Sequence, residues 1–373
     1  MNLRARWRWG VVVCGTAFLA AVPAALAALP VSGSALSPAA LRVRILASAR
    51  LPYEGYAEST VDLGLPPLPD LQSVSTLLDS TTDQYAWYRS PGHWRADTLA
   101  ATGEDDDYQD GGVTYSWNYS DNLLTRVPGS QPVRLPRAAD LLPPTLARQI
   151  LALASPADHL SRLPSLRVAG IDAAGLRVVP ADQATTVSAV DIWADPANGL
   201  PVEVKITGRG TSQAALTTSF LQVSQHRPAL ATVTPHPAPG VDVVTTRFSS
   251  ISGILNDNLG SYPWPSRLSG LARLPATGGV PGVAAYGAGF ARFTVIALPG
   301  RAGCHLTYAA TRAGAPTVRL AGGTGVLVRT PLLTALLARP RFRGTTFLFA
   351  GPVTPALLES AASGLLTRIA SGS

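Results

Sequence analysis

Between residues 53 and 126, apolar and polar positions alternate in short runs broken by Gly, Asn, Asp and Pro. Such runs predict strands with one buried face. They fall at residues 53–62, 83–89, 93–99, 105–110, 113–119 and 123–126. Tyr115, Trp117 and Tyr119 alternate with Thr114, Ser116 and Asn118, so the three aromatics share one face of a strand. A second group of strands is expected at 166–168, 175–180, 186–194, 201–207 and 214–224. Two helices interrupt the pattern. Ser37 stands before Pro38, a capping residue before a proline at the first helical position, and Leu41, Ile45, Leu46 and Ala49 follow at helical spacing, predicting a helix over 38–50. Pro143-Pro144 opens another, to about Ala154.

The stretch 227–240 carries Pro228, Pro235, Pro237 and Pro239 and reads as a stiff connection. Tyr262-Pro263-Trp264-Pro265 follows, and the composition changes after it, which places a domain boundary near residue 255. A first domain over 37–250 and a smaller α+β domain over 262–372 result. In the second domain, strands are expected at 293–298, 304–308, 317–320, 325–329 and 345–350. Thr330-Pro331 is expected to cap a short helix through Leu337, and Thr354-Pro355 a final one with Leu357, Leu358, Ala361, Leu365 and Ile369 as its apolar stripe. Gly322 to Gly325 reads as a hairpin turn, and Cys304 as a small buried hydrophobe in a strand.

Residues 1–30 have the layout of an export segment. Arg4, Arg6 and Arg8 precede an apolar run from Val11 to Ala21, then Pro23 and the small-x-small sequence Ala25-Leu26-Ala27. A cleaved signal peptide is favoured, and a single retained N-terminal membrane anchor is the alternative. Either way the rest of the chain is expected outside the cytoplasm, in the periplasm or cell envelope.

The formal net charge of +7 includes those three arginines, and Lys205 is the single lysine. No stretch interleaves arginines with aromatics as a nucleic-acid groove requires, so no nucleic-acid partner is expected. Apolar residues make up 46% and charged residues 14%, which excludes a disordered chain. The five histidines, His93, His159, His226, His236 and His305, lack the close spacing of a zinc site. No Gly-x-Ser-x-Gly or complete dinucleotide fingerprint occurs, so neither catalytic residues nor a cofactor are assigned. Glu104-Asp105-Asp106-Asp107 is the one dense acidic run. In a strand its neighbours point to opposite faces, so it reads as a solvated strand edge rather than a metal site.

What remains is aromatic. Tyr85 and Trp87 share a strand face, as do Tyr115, Trp117 and Tyr119, while Trp94 and Trp193 lie in other strands. These seven residues are the candidate ligand-binding set. A long antiparallel sheet covered by two helices leaves part of its face unfilled, and the aromatics are expected there, on the concave side with the helices.

An ordered set of segments then points to a family. Pro91-Gly92-His93-Trp94-Arg95 is followed by Asp110-Gly111 with Trp117 and Tyr119. Next come Asp191-Ile192-Trp193-Ala194-Asp195-Pro196 and Gly199-Leu200-Pro201-Val202-Glu203. Over residues 37–250 this resembles the lipoprotein-carrier-like superfamily of LolA-type carriers, LppX/LprG-type lipid carriers and MucB/RseB sigma-factor regulators. The resemblance implies a curved antiparallel half-barrel wrapped over helices, with an apolar groove for a lipid, a lipoprotein acyl chain or an apolar peptide. The second domain makes the chain look most like the two-domain MucB/RseB type. That type implies an envelope-stress regulator at the membrane surface, with the exported segment of an anti-sigma factor as a partner. A lipid or lipoprotein carrier of the LolA/LppX type is the alternative.

Overall fold

The computed structural model of the chain describes residues 31–65, 72–100, 103–129, 134–246, 262–275, 282–341 and 344–371. The export segment 1–30 and the boundary near 255 lie outside the described residues.

Twelve strands build one sheet: β1 (Tyr53–Val61), β2 (Thr81–Ser90), β3 (His93–Ala100), β4 (Gly103–Asp110), β5 (Val113–Asn118), β6 (Leu123–Pro128), β7 (His159–Val168), β8 (Ile171–Val179), β9 (Val187–Ala194), β10 (Pro201–Gly208), β11 (Ala214–Ser224) and β12 (Asp242–Thr245). Their spatial order is β12-β6-β5-β4-β3-β2-β1-β11-β10-β9-β8-β7. All neighbours are antiparallel except β12 and β6, which are parallel. The sheet is large and open, with β12 and β7 as its end strands.

Few helices accompany it. Helix α1 (Pro38–Ala47) starts where the Ser37 hydroxyl accepts from the Ala40 N–H at 3.2 Å, and a 3-10 turn, Ser48–Arg50, extends it. Then come α2 (Gln72–Leu77), a 3-10 turn at Ala138–Leu141, and α3 (Pro143–Leu153). Leu41 and Ile45 of α1 and Ala147, Ile150 and Leu151 of α3 are buried against Leu176, Val178, Val190, Ile192 and Val204 of the sheet. Each buried Leu, Ile or Val among them contributes on the order of 1.5–3 kcal/mol through the apolar area removed from water. The turn expected at Asn198-Gly199 is present. Gly199 has φ +82°, and a Cβ there would meet the Arg44 backbone, so the turn lies flush against the end of α1.

The second unit holds a short hairpin, β13 (Arg267–Leu268) and β14 (Leu271–Ala272). Its main sheet comprises β15 (Val283–Ala288), β16 (Ala291–Leu298), β17 (Thr317–Leu320), β18 (Gly323–Arg329), β19 (Thr334–Pro340) and β20 (Thr346–Gly351), in the antiparallel order β15-β16-β20-β19-β18-β17. Helices α4 (Gly300–Arg312) and α5 (Pro355–Ala370) accompany it, and α5 buries Leu358, Ala361, Ala362, Leu365 and Leu366. The two sheets touch through Thr186, whose N–H donates to Pro352 O (3.0 Å) and whose hydroxyl donates to Leu332 O (2.6 Å).

Three expectations are corrected. The stretch 304–308 is not a strand but part of α4, and Cys304 is exposed rather than buried. Gly303, Leu306 and Ala310 form the buried helical face, and Gly303 lets the helix approach Thr346 closely. The segment after Thr330-Pro331 is not a helix, because residues 334–340 pair on both sides as β19. The acidic run is not a sheet edge. It lies in β4, hydrogen-bonded between β3 and β5, where Asp106 is fully buried.

Candidate functional site

Strand pairing decides which side chains share a face. Tyr53 lies opposite Tyr88, and Tyr88 opposite Trp94. The helices cover this face: the Tyr88 hydroxyl donates to Ala49 O (2.6 Å), and the Arg148 guanidinium of α3 lies 5.7 Å from the Tyr88 ring centroid. A cavity of about 280 Å³ opens there, between the sheet and the segment that carries the Ala138–Leu141 turn and α3. Its apolar floor includes Tyr53, Ala86, Tyr88 and Trp94, with the Tyr53 and Tyr88 rings stacked at 5.1 Å. Burial pushes the phenol groups of Tyr53 and Tyr88 up, so both stay neutral and serve as apolar wall.

The rim is polar. Arg134 clasps Asp140 with two 2.5 Å bonds; desolvation pushes the half-buried Asp140 carboxyl up, but Arg134 outweighs it and holds the group below its ordinary value. Arg148 brings a buried Nη1 with no hydrogen-bond partner. An apolar floor with a cationic edge suits a molecule with an apolar body and a polar or anionic end.

The opposite face carries the aromatic stripe. Trp87 pairs with Arg95, Arg95 with Tyr108, and Tyr108 with Tyr115; Asp97 pairs with Asp106, Asp106 with Trp117, and Trp117 with Leu124. Ring contacts run along this face, Tyr85 to Trp87 at 6.0 Å and Trp117 to Tyr119 at 4.7 Å, with Arg95 5.2 Å from both Trp87 and Tyr108. The connector before β12 runs along this side. Pro228 O accepts from Arg89 Nη1 at 2.6 Å, and Val241 packs with Tyr108, Trp117 and Leu124.

Of the seven aromatics singled out in the sequence, only Trp94 lines the cavity under the helices. Tyr115, Trp117 and Tyr119 do share a face with Tyr85 and Trp87, but it is the face away from the helices. Alternation ties these residues together without saying to which side they turn. Tyr85 and Tyr119 are exposed there, whereas Trp117 is buried. Trp193 is buried toward the β7 end, its indole N–H donating to Pro164 O (3.0 Å) and Lys205 Nζ 5.1 Å from its ring centroid. The cavity residues missed in the sequence are Tyr53, Tyr88 and Arg148. Tyr53 opens a strand and Tyr88 alternates with Ala86, but nothing in the sequence joins Arg148 to them.

Among the described residues, no histidine or cysteine joins a group able to hold a metal ion, and no helix is long and apolar enough to cross a membrane. Three carboxylates do converge, those of Asp97, Glu104 and Asp106.

A large open, mostly antiparallel sheet with few helices, together with a smaller α+β unit, defines an α+β protein without a closed barrel among the described residues. In this arrangement the chain is similar to MucB as seen in the Pseudomonas aeruginosa MucA/MucB complex, with 17% identity and a TM-score of 0.48 over 87% of this chain and 96% of that one. A second MucB structure, in complex with MucA(peri), gives 18% identity and 0.47 over 86% and 96%. A LolA superfamily protein from Nitrosomonas europaea gives 11% identity and 0.26 over 54% and 99%. No family model and no curated protein matches the chain.

Proposed function

We propose that this chain is an exported, non-enzymatic protein that binds a hydrophobic ligand, a lipid, a lipoprotein acyl chain or an apolar peptide, beneath its helices. The single observation that carries this reading is the 280 Å³ cavity with an aromatic floor and an arginine-bearing rim. The floor offers area for an apolar chain, and Arg148 or Arg134 offers a charged contact for its polar end. In this reading Trp94, which lines the cavity, is the member of the sequence-derived set that touches the ligand.

The N-terminal segment supports an extracytoplasmic location, and the two-part layout over 37–250 and 262–372 supports a regulator of the MucB/RseB type. In that role the ligand reports the state of the envelope, and the exported segment of an anti-sigma factor is the protein partner. The half-barrel curvature implied by the sequence belongs to the same reading.

Titration with a fluorescent fatty acid tests it. Saturable binding to the parent and its loss in Trp94→Arg, with an unchanged circular dichroism spectrum, is the expected result. Equal binding by the folded variant, or none by the parent, overturns it.

A further inference from the structure

We propose that Asp97, Glu104 and Asp106 form a binding site for a hard divalent cation of the calcium class, on the sheet face opposite the cavity. The site is built by one hairpin. Strands β3 and β4 pair Asp97 directly with Asp106, and Glu104 stands two residues before Asp106 on the same face. One carboxylate oxygen from each of the three lies within 4.8 Å of the others.

The second observation is the state of Asp106. Its side chain is fully buried, yet its two oxygens are treated very differently. Oδ2 accepts three hydrogen bonds, from Arg95 Nη2 (2.9 Å), the Tyr108 hydroxyl (2.9 Å) and the Tyr119 hydroxyl (3.0 Å). Oδ1 is buried and has no partner. A buried carboxylate oxygen left without a donor is costly, so something is expected to meet it.

Charge points the same way. Arg95 is the one cation paired with this cluster, at 2.5 Å from Asp97, 2.9 Å from Asp106 and 3.7 Å from Glu104. With all three carboxylates ionised, the single guanidinium leaves an excess of −2 in a largely buried place. At neutral pH the proton held by Asp97 covers one of these charges, and a divalent cation takes that proton's place and neutralises the whole excess.

The donor set selects the class of ion. All three ligands are oxygens, without imidazole or thiolate, which suits calcium, magnesium or manganese rather than zinc or copper. Three protein carboxylates fall short of the six to eight oxygens calcium takes. The side chain of Glu104 is 40% exposed and opens the cluster to solvent, so water completes the shell. Asp106 pairs with Trp117 and Arg95 with Trp87, so two indoles stand next to the site.

The test uses the purified full chain after EDTA treatment. Calcium is titrated calorimetrically, and terbium is followed by luminescence excited through tryptophan. We expect one site with a dissociation constant of roughly 0.1–1 mM, as in extracellular calcium modules, with terbium emission displaced by calcium and an upward shift in Tm. Glu104→Gln, at the open side, is expected to fold as the parent does in EDTA and to lose calcium affinity at least about tenfold. Asp106→Asn is expected to abolish binding. Asp172→Asn, in a half-buried pair on another hairpin, is the control and is expected to bind as the parent does. No calcium, magnesium or manganese binding up to about 10 mM, well beyond the weak end of that range, overturns the proposal. So does binding that Glu104→Gln leaves unchanged; in either case protons alone offset the charge.

Discussion

The sheet formed by β1–β12 buries charge, while the sheet formed by β15–β20 buries almost none. In the first, Asp97, Asp106, Asp107, Asp191 and Glu203 are all buried, and ion pairs such as Arg95–Asp106, Arg137–Asp107 and Arg177–Asp191 run between its strands and turns. In the second, the core is Phe293, Phe347, Phe349, Leu336, Leu358 and Leu365, and Thr334 and Thr346 are the buried polar side chains of its strands. The contrast separates two jobs. An apolar core is insensitive to pH and salt, so the second unit is a steady support. A sheet with charge inside responds to protons and ions, so the environmental sensitivity of the molecule lies in the first unit.

The largest effect is expected where charge is absent. Phe349→Ala removes a fully buried ring and should cost about 3–5 kcal/mol. The loss, followed by denaturant melts, should be the same at pH 5 and pH 8. A strong pH dependence of that loss would erase the distinction between the sheets. Arg95→Met comes next. It takes the cation away from two buried acidic side chains, and should cost roughly 2–3 kcal/mol above about pH 8, where Asp97 is ionised. The penalty should shrink as pH falls below about 8 and Asp97 gains its proton. A penalty independent of pH would mean that Arg95 acts through packing on Trp87 and Tyr108 alone.

Proton linkage sharpens the comparison further. Burial first, and the neighbouring Asp106 charge next, lift the Asp97 carboxyl from 3.8 to about 8, with Arg95 pulling the other way. Between those values the folded chain holds a proton that the unfolded chain has lost. Stability from this group is therefore full below about pH 4 and falls as pH rises through about 8. Asp140 has the opposite sign. Its pKa is lowered, so its contribution is present above the ordinary carboxylate value and is lost as pH falls through the lowered one. Thermal melts in EDTA should show Tm falling from pH 5 to pH 8, and Asp97→Asn should flatten that slope. A slope that survives the substitution would assign the effect to another group.

The smallest effect concerns Gln84. It is fully buried on the helix side of β2, and neither end of its amide has a partner. Gln84→Met removes two unmet polar groups at similar volume and should stabilise the chain by about 1 kcal/mol. Destabilisation would mean that ordered water satisfies the amide.

Much of the architecture was legible in the sequence, and particular residues show where legibility ended. The strands from Tyr53 to Pro128 followed from alternation, and α1 and α3 from Ser37-Pro38 and Pro143-Pro144. Alternation also tied Tyr115 to Trp117. It did not say which side of the sheet the helices would take, because that depends on α1 and α3 packing on Leu176 and Ile192 far along the chain. Four consecutive acids suggested an exposed edge. Their true place between β3 and β5 depends on Arg95 and Arg137, which come from other elements and offset the buried charge. The Cys304 region was mistaken for a strand although Gly303, Leu306 and Ala310 already had helical spacing. The cavity was not legible, since it joins Tyr53, Trp94 and Arg148 from three separate segments.

The most direct test of the central claim is where a bound chain sits. A photoreactive fatty acid is crosslinked to the purified protein and its adducts are mapped by peptide mass spectrometry. The account expects adducts around Tyr53, Tyr88 to Trp94, and Leu142 to Gln149, the segments that enclose the cavity. Adducts confined to Tyr85, Tyr115 and Tyr119, on the other face, would contradict it.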